Sequence, residues 1–176
     1  MQFPRDTVQS RTATPMGDVR LAASARGLVG LWFDGQRHQP VELDGPGAWP
    51  TRDDHPVLQE AARQVQAYLR GERTQFDLPL DLSGGTPFQQ AVWQALLAIP
   101  RGRTTSYGAI AHELGNPAAV RAVGAAVGRN PVSVAVPCHR VLGSTGSLTG
   151  YAGGLHRKTA LLRLEAAPLD LPDCHP

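Results

Sequence analysis

Strand-like and helix-like segments occupy separate parts of this chain of 176 residues, and that separation constrains its fold more than any other feature. Three short β-prone segments, residues 8–14, 19–25 and 28–33, lie in the first 40 residues and are separated by Gly, Pro and Asp. Short strands with tight connections are typical of an antiparallel meander. Apolar side chains then recur at four-residue spacing over residues 56–69, which predicts a helix.

The second half of the chain is predicted to be mainly helical. Thr86, Pro87 and Gln89 have the spacing of an N-cap, a first helical position and a capping box, and the helix that they begin ends at Pro100. Two shorter helices, over residues 106–114 and 118–127, are joined by a tight turn that contains Gly. This pairing is typical of a helix-turn-helix, although an ordinary corner between two helices is commoner.

Basic charge is concentrated in the helical half. Residues 101–163 hold eight basic residues and one acid, whereas the whole chain has a net charge of +2. A polyanionic partner would explain this density, and a solvated basic face is equally consistent with charge alone. The helix at 118–127 is rich in alanine, and Arg121 is its only long polar side chain. Since a smooth helix cannot read base edges in the major groove, we expect DNA binding in the minor groove with little sequence specificity.

The strongest chemical signal lies around Cys138. A β-branched run predicts a buried strand that ends at Pro137, and Cys138, His139 and Arg140 follow directly. Most lone cysteines are inert core residues. Here the positive neighbours are expected to lower the pKa of the thiol from its ordinary value of about 8.5 and so favour the thiolate.

Glu165 and the glycine-rich segment 143–154 are also considered as parts of a site at Cys138. Glu165 directly follows the predicted helix at 155–164 and is the only acid between Glu113 and Asp170, so we expect it to orient the imidazole of His139. The glycine-rich segment 143–154 is either a flexible hairpin loop or a pocket wall whose backbone N–H groups donate to a substrate oxygen.

Several ordered motifs resemble those of the methylated-DNA–protein-cysteine methyltransferases, also called O6-alkylguanine-DNA alkyltransferases. They are Pro-Cys-His-Arg at 137–140, Gly-Arg-Asn-Pro at 128–131 and Gly-Tyr-Ala-Gly-Gly-Leu at 150–155. The resemblance is strong over residues 76–166, whereas residues 1–75 agree with the family only in the order of their elements.

The resemblance implies an α+β fold in two domains. Residues 1–75 would form a ribonuclease H-like antiparallel sheet with a helix, and residues 76–85 would link it to the second domain. Residues 86–166 would form a helical, winged helix-turn-helix-like domain that carries the active site. Residues 167–176 would form a tail.

The function implied by the resemblance is DNA repair. Such a protein flips O6-alkylguanine, and also O4-alkylthymine, out of duplex DNA and transfers the alkyl group irreversibly to its own cysteine in a single turnover. No cofactor is needed, and we expect a cytoplasmic monomer that does not bind membranes. The alkyltransferase-like relatives, which bind lesions without transfer, are the alternative; they lack the cysteine that this chain keeps.

The resemblance also implies roles for individual residues. Cys138 would accept the alkyl group, His139 would act as base through a water, Glu165 would orient His139, and Asn130 would brace the turn between the recognition helix and the active-site strand. The residues implied to bind the flipped base are Tyr107, Val141, Tyr151, Ala152 and Lys158. The residues implied to bind DNA are Arg121, which would fill the gap left by the flipped base, and Ala119, Ala122 and Arg129.

Some positions depart from the family pattern. No cysteine precedes Cys138, so the N-terminal zinc site of some members is not expected, and His38 and His55 are expected to be exposed loop residues. Ala152 stands where some members have Ser, so only its backbone can donate. Ser133 stands where some relatives have a proline that helps them accept bulky alkyl groups.

Two other classes of protein fit the sequence less well. A helix-turn-helix transcription factor needs base-reading side chains, which the helix at 118–127 lacks. A Cys-His hydrolase needs a second step with water and leaves the basic helix-turn-helix unexplained. The two cysteines, Cys138 and Cys174, are too few for a disulfide framework.

Overall fold

A three-stranded antiparallel sheet forms the N-terminal half of the protein. In this computed structural model, which describes residues 1–167, strands β1 (Val8–Thr12), β2 (Val19–Ser24) and β3 (Gly27–Phe33) are hydrogen-bonded in chain order. The predicted meander is therefore confirmed. Strand β1 ends two residues earlier than predicted, because the chain then turns toward β2.

Strand β3 is buried on both faces. Helix α1 (Pro56–Leu69) packs against the face that carries Leu31 and Phe33. The opposite face carries Trp32, which Phe3 and Trp49 cover. Burial on both faces explains why the sequence of this antiparallel strand is continuously apolar and does not alternate. The helix predicted at 56–69 is confirmed at both ends.

The outer edge of β3 is covered by two segments from later in the chain. Leu28 exchanges two backbone hydrogen bonds, of 2.7 and 2.9 Å, with residues 79–81. Leu31 exchanges two more, both of 2.9 Å, with residues 131–133. The segment expected to link the halves thus lies along the sheet, and the chain that leads to Cys138 is anchored to it.

The described part of the second half, up to residue 167, contains four α-helices and a two-residue parallel ladder. Its elements are α2 (Pro87–Leu97), β4 (Thr105–Ser106), α3 (Tyr107–Glu113), α4 (Val120–Gly128), β5 (Val141–Leu142) and α5 (Leu155–Leu164). The capping box predicted at Thr86 is confirmed, with the Thr86 and Gln89 side chains each bonded to the other's backbone N–H.

One helix start and one strand were predicted wrongly. Helix α4 begins at Val120, because Pro117–Ala119 form a 3-10 turn and Asn116 makes no side-chain cap. The β-branched run before Pro137 is buried as expected but is not a strand beyond a single bridge to Leu31. Val134 has φ +71°, a left-handed conformation that turns the chain between the sheet edge and Cys138.

The main apolar core extends through both halves, and smaller clusters lie around Trp32 and around Leu162. The main core combines residues of β2, β3 and α1 with residues of all four later helices. Trp93 of α2 lies within it and donates from Nε1 to the carbonyl of Ala126 in α4 at 2.9 Å, so the helices pack in one arrangement. No helix within residues 1–167 is both long enough and apolar enough to cross a membrane.

The close approach of residues 79–81 to β3 can be tested at Gly27. This residue has φ +146°, and an added Cβ would lie 2.4 Å from the carbonyl oxygen of Pro79. Gly27→Ala is expected to lower the free energy of unfolding by about 2 kcal/mol or more, since neither backbone can move freely. Urea unfolding followed by tryptophan fluorescence measures the loss.

Gly35→Ala is the matched control for this test. Gly35 has φ +73°, and no atom lies within 4 Å of an added Cβ, so only the backbone conformation opposes the substitution. It is expected to cost about 1 kcal/mol. Equal losses in the two variants would contradict the steric role of residues 79–81.

Candidate active site

Cys138 lines a cavity of about 280 Å³. The thiol-bearing residue is only 5% exposed, so a substrate atom must enter the cavity to reach it. Both halves of the protein contribute to the wall. The lining residues are Arg37, His38, Tyr107, Gly124, Ala125, Val127, Gly128, Arg129, Cys138, Gly150, Tyr151 and Ala152.

Asn130 fixes the turn that presents the cysteine. Its Nδ2 donates to the carbonyl of Val136 at 2.7 Å and to Sγ of Cys138 at 3.1 Å. Its Oδ1 accepts from the backbone N–H of Val132 at 3.0 Å. The side chain is buried, so these bonds tie the end of α4 to both sides of the turn.

The thiol is not activated in the way that the sequence indicated. Burial raises the pKa of Cys138, and the Asn130 hydrogen bond and the positive charge of Lys158 only partly oppose it. His139 and Arg140 follow Cys138 in the chain, but their side chains bind Glu165. The expected lowering by these two neighbours is therefore wrong, because adjacent residues of the turn direct their side chains to different partners.

A buried carboxylate orients His139. Glu165, the residue after α5, places Oε1 2.6 Å from Nε2 of His139, and neither side chain is exposed. An ionised carboxylate can only accept, so Nε2 carries the hydrogen and Nδ1 is left with a lone pair. Nδ1 is buried and has no hydrogen-bond partner within the described part of the chain. This nitrogen is available as a proton acceptor.

Glu165 is held in its ionised form by three donors. Arg140 donates from Nε to Oε2 at 2.8 Å and from Nη2 to Oε1 at 3.1 Å, and Tyr68 donates to Oε1. Burial alone would raise the pKa of Glu165, but the bonds from His139, Arg140 and Tyr68 outweigh it and hold that pKa well below its usual range. Burial lowers the pKa of His139, which Glu165 only partly offsets.

Lys158 holds the glycine-rich segment in place. Its Nζ donates to the carbonyls of Val141 at 2.6 Å and Thr149 at 2.9 Å, and burial lowers the pKa of this lysine to about 8. The segment therefore forms a pocket wall. Val141 itself does not line the cavity, since its carbonyl faces Lys158.

The other predicted site residues lie at the cavity or along α4. Tyr107, Tyr151 and Ala152 line the cavity, and the Tyr107 hydroxyl lies 3.4 Å from the carbonyl of Thr149. Arg129 follows α4 at the rim of the cavity. The remaining residues on or beside α4 are Arg121 and Ala122, which are exposed, and Ala119, which is half-buried.

Sequence reasoning missed two contributions from the N-terminal half. Arg37 lines the cavity and donates its backbone N–H to the carbonyl of Ala152 at 3.0 Å, and Tyr68 reaches Glu165. Neither lies in a motif, and only the packing of the two halves brings them to the site. For Tyr68 the nearest sequence signal was the apolar face of α1, which predicts burial and not a partner; Arg37 lies in the loop after β3 and had no such signal.

The two N-terminal histidines differ from each other. His38 is exposed, as expected, and lines the cavity, whereas His55 is half-buried at the N-terminus of α1 with its Nδ1 enclosed. Full exposure of His55 was therefore a wrong prediction, because the start of the helix covers one ring edge. Within residues 1–167, no group of three or more His, Cys, Asp or Glu side chains is arranged to hold a metal ion.

Comparisons with known proteins agree with this arrangement. Residues 87–167 match the family model described as 6-O-methylguanine DNA methyltransferase, DNA binding domain, and residues 8–82 match the ribonuclease-like domain of the same enzyme. The chain belongs to this methyltransferase family. The resemblance and the α+β fold inferred from the motifs are thus confirmed, and the similarity includes the N-terminal half beyond the order of its elements.

Relatives of this family cover nearly the whole chain. The methylated-DNA–protein-cysteine methyltransferase of Mycobacterium bovis is 48% identical over 160 residues, which are 90% of this chain and 93% of that protein. The inducible enzyme of Bacillus subtilis is 47% identical over 155 residues, 82% and 86% of the two chains. The solved structure of Mycobacterium tuberculosis OGT in complex with DNA has a TM-score of 0.80 at 45% identity and covers 92% of this chain and 95% of that one.

The buried charge of Glu165 makes the free energy of unfolding of this protein depend on pH, and this dependence can be tested. Its pKa is depressed in the folded protein, so its stabilisation is present above the ordinary carboxyl pKa of about 4.3 and is lost as the pH falls below it. Glu165→Gln leaves Arg140 without its carboxylate and is expected to cost about 3–5 kcal/mol at pH 7. The difference in the free energy of unfolding between the variant and the unaltered protein should become smaller below pH ~4.

Urea unfolding between pH 7 and pH ~3.5 measures this difference. Glu113→Gln, an exposed substitution at the end of α3, is the control and is expected to change stability by about 0.5 kcal/mol or less. A stability difference for Glu165→Gln that stays constant across the pH range would contradict the depressed pKa.

Proposed function

We propose that this protein repairs DNA by transferring the alkyl group of O6-alkylguanine, and also of O4-alkylthymine, to Cys138. One observation carries the proposal: Cys138 lines the cavity, and the next residue, His139, has its Nε2 bound to Glu165 and a buried Nδ1 with no hydrogen-bond partner among the described residues. A thiol that a substrate can reach and an oriented base near it in the chain are the requirements for nucleophilic displacement. Family membership supports the same reaction.

The reaction is an in-line displacement at the alkyl carbon. The Cys138 proton passes through a water to Nδ1 of His139, and the thiolate attacks the carbon attached to O6. The new C–S bond forms as the C–O bond breaks, and guanine leaves with its O6 as a ring carbonyl after taking up one proton. The Tyr107 hydroxyl and the Ala152 N–H are the groups proposed to hydrogen-bond the leaving base.

The raised pKa of the thiol makes the base necessary. Burial disfavours the free thiolate, so Cys138 is expected to lose its proton only when His139 accepts it. The thioether product is not a leaving group at neutral pH, and each molecule therefore acts once. No cofactor is required, because the thiol supplies the electron pair and the substrate supplies the leaving group.

Double-stranded DNA is the proposed partner, bound through its minor groove with little sequence specificity. Arg121 and Ala122 are exposed on α4, and Arg129 lies beside the cavity mouth, so positive charge borders a nearly smooth surface. The target atom is inaccessible inside a duplex, and the base must be flipped at a cost of a few kcal/mol. The relative from Mycobacterium tuberculosis has been solved in complex with DNA, which supports this partner.

The proposal also covers the oligomeric state of the protein and the compartment in which it acts. One chain supplies both the proposed nucleophile, Cys138, which lines the cavity, and the proposed base, His139, which supports action as a monomer. Cys138 is a free thiol and must stay reduced to react, which supports the cytoplasm as the compartment. The lesion-binding alternative without transfer is not favoured, because Cys138 is present and positioned.

Cys138 is expected to be the sole acceptor. After reaction with duplex DNA that contains O6-methylguanine, the intact mass should increase by one methyl group, and peptide mapping should place it on Cys138. Cys138→Ser should bind the same DNA and transfer nothing. A methyl group on Cys174, which lies outside the described residues, would overturn the assignment.

Arg121→Ala separates two roles for the exposed arginine of α4. If Arg121 only neutralises a phosphate, its loss should weaken DNA binding uniformly and reduce the salt slope by about one unit. We expect it to fill the gap left by the flipped base, so binding should weaken modestly and transfer from duplex DNA should fall much further. Transfer from free O6-benzylguanine should be nearly unchanged, because a free base needs no extrusion.

Rates on the two substrates, measured in one variant, decide between these roles. Arg163→Ala removes another exposed positive charge, at the end of α5, and serves as the charge-matched control. It should affect duplex and free-base transfer to the same small extent. An equal loss on both substrates in Arg121→Ala would exclude the gap-filling role.

A further inference from the structure

Tyr68 connects the N-terminal half directly to the catalytic relay. It lies near the end of α1, is 2% exposed, and donates from its hydroxyl to Oε1 of Glu165 at 2.5 Å. Its ring stacks on Phe76 with centroids 4.7 Å apart and planes inclined by 29°. The tyrosine is therefore held on one side by packing and on the other by a buried carboxylate.

The oxygen that Tyr68 binds is the one that orients His139. Oε1 of Glu165 accepts from the Tyr68 hydroxyl at 2.5 Å and lies 2.6 Å from Nε2 of His139. Arg140 Nη2 lies 3.1 Å from the same oxygen and 3.3 Å from the Tyr68 hydroxyl. These three donors compete for the lone pairs of one carboxylate oxygen, so each bond is weaker than it would be alone.

The phenol remains a donor throughout the physiological pH range. Burial, supported by the bond to Glu165, raises the pKa of Tyr68 to about 12. The hydroxyl thus withdraws charge from Glu165 without carrying charge itself. Its effect on His139 passes only through Oε1.

We propose that Tyr68 is a positioning residue for alkyl transfer, whose hydroxyl shares Oε1 of Glu165 and so keeps His139 neutral with Nδ1 free. The role in transfer rests on the proposed function. The protonation state of His139 does not, because it exists in the protein without DNA.

All charged or titratable groups that face His139 set its protonation equilibrium. Burial lowers its pKa, the hydrogen bond and the charge of Glu165 raise it, and the positive charges of Arg140 and Lys158 lower it. Cys138 precedes it in the same turn. Without the Tyr68 hydroxyl, His139 interacts with more of the negative charge of Glu165. The protonated imidazolium is then stabilised, and the pKa of His139 rises.

Only the neutral imidazole can take the proton of Cys138. A higher His139 pKa therefore moves the acid side of the rate profile to higher pH. On the acid limb of the profile the variant Tyr68→Phe should therefore lose more of its transfer rate, relative to the unaltered protein, than at pH 8.

Tyr68→Phe tests the proposal, because it removes one oxygen and keeps the ring. The pKa of His139, measured by ¹⁵N NMR of the imidazole in the protein without DNA, is expected to rise by about 0.5–1 pH unit, the effect of one hydrogen bond. Single-turnover rates on alkylated duplex DNA, measured from pH 8.5 down through the acid limb, should show that limb displaced by the same amount.

Phe76→Leu is the matched control. It removes the stacked ring beside Tyr68 and leaves the hydroxyl, so it should lower stability but leave the His139 pKa and the acid limb unchanged. The proposal is overturned if Tyr68→Phe leaves both quantities unchanged, or if Phe76→Leu shifts them equally. Absence of transfer by the unaltered protein would contradict the proposed function alone, since the NMR comparison still decides the role of Tyr68.

A second measurement keeps the test decisive if Tyr68→Phe does not fold. Replacing all three tyrosines by 3-fluorotyrosine keeps every ring and makes the phenol a stronger donor. The His139 pKa should then fall below that of the unlabelled protein. An unchanged or raised value would overturn the proposal.

Discussion

The buried charge of Glu165 is the constraint on which the arrangement of this protein depends. A carboxylate with no exposed surface is stable only when donors satisfy it, and here they come from α1 and from the turn at residues 138–140. Arg140, which supplies two of the bonds, also donates to the carbonyl of Ile99 beyond α2. One ion therefore joins the N-terminal helix, the cysteine turn and the last helix.

Both halves of the protein contribute residues to the site around this carboxylate. The second half supplies the proposed nucleophile, the proposed base and the proposed DNA-binding surface. The first half supplies the Tyr68 hydroxyl, the Arg37 side of the cavity and the sheet edge to which residues 131–133 are anchored. The N-terminal sheet therefore helps to determine where Cys138 and the cavity wall lie.

Local signals in the sequence predicted the parts of the fold that local interactions form. The capping box at Thr86 and the apolar spacing in α1 depend on residues within one or two turns, and both helices begin where predicted. The run before Pro137 was predicted as a strand from its β-branched residues. Its conformation instead follows from Asn130 and from the edge of β3, which are tertiary contacts.

The sequence by itself determined the family and the order of the elements, and it predicted Cys138 as the nucleophile, because these depend on contiguous motifs and short-range periodicity. Only the tertiary structure decided which groups touch. It turned His139 and Arg140 from Cys138 toward Glu165, and it brought Tyr68 to the same carboxylate across 97 positions of the chain. The physical reason is that a buried ion must be satisfied by whichever donors the packing places within reach, and packing is a property of the whole fold.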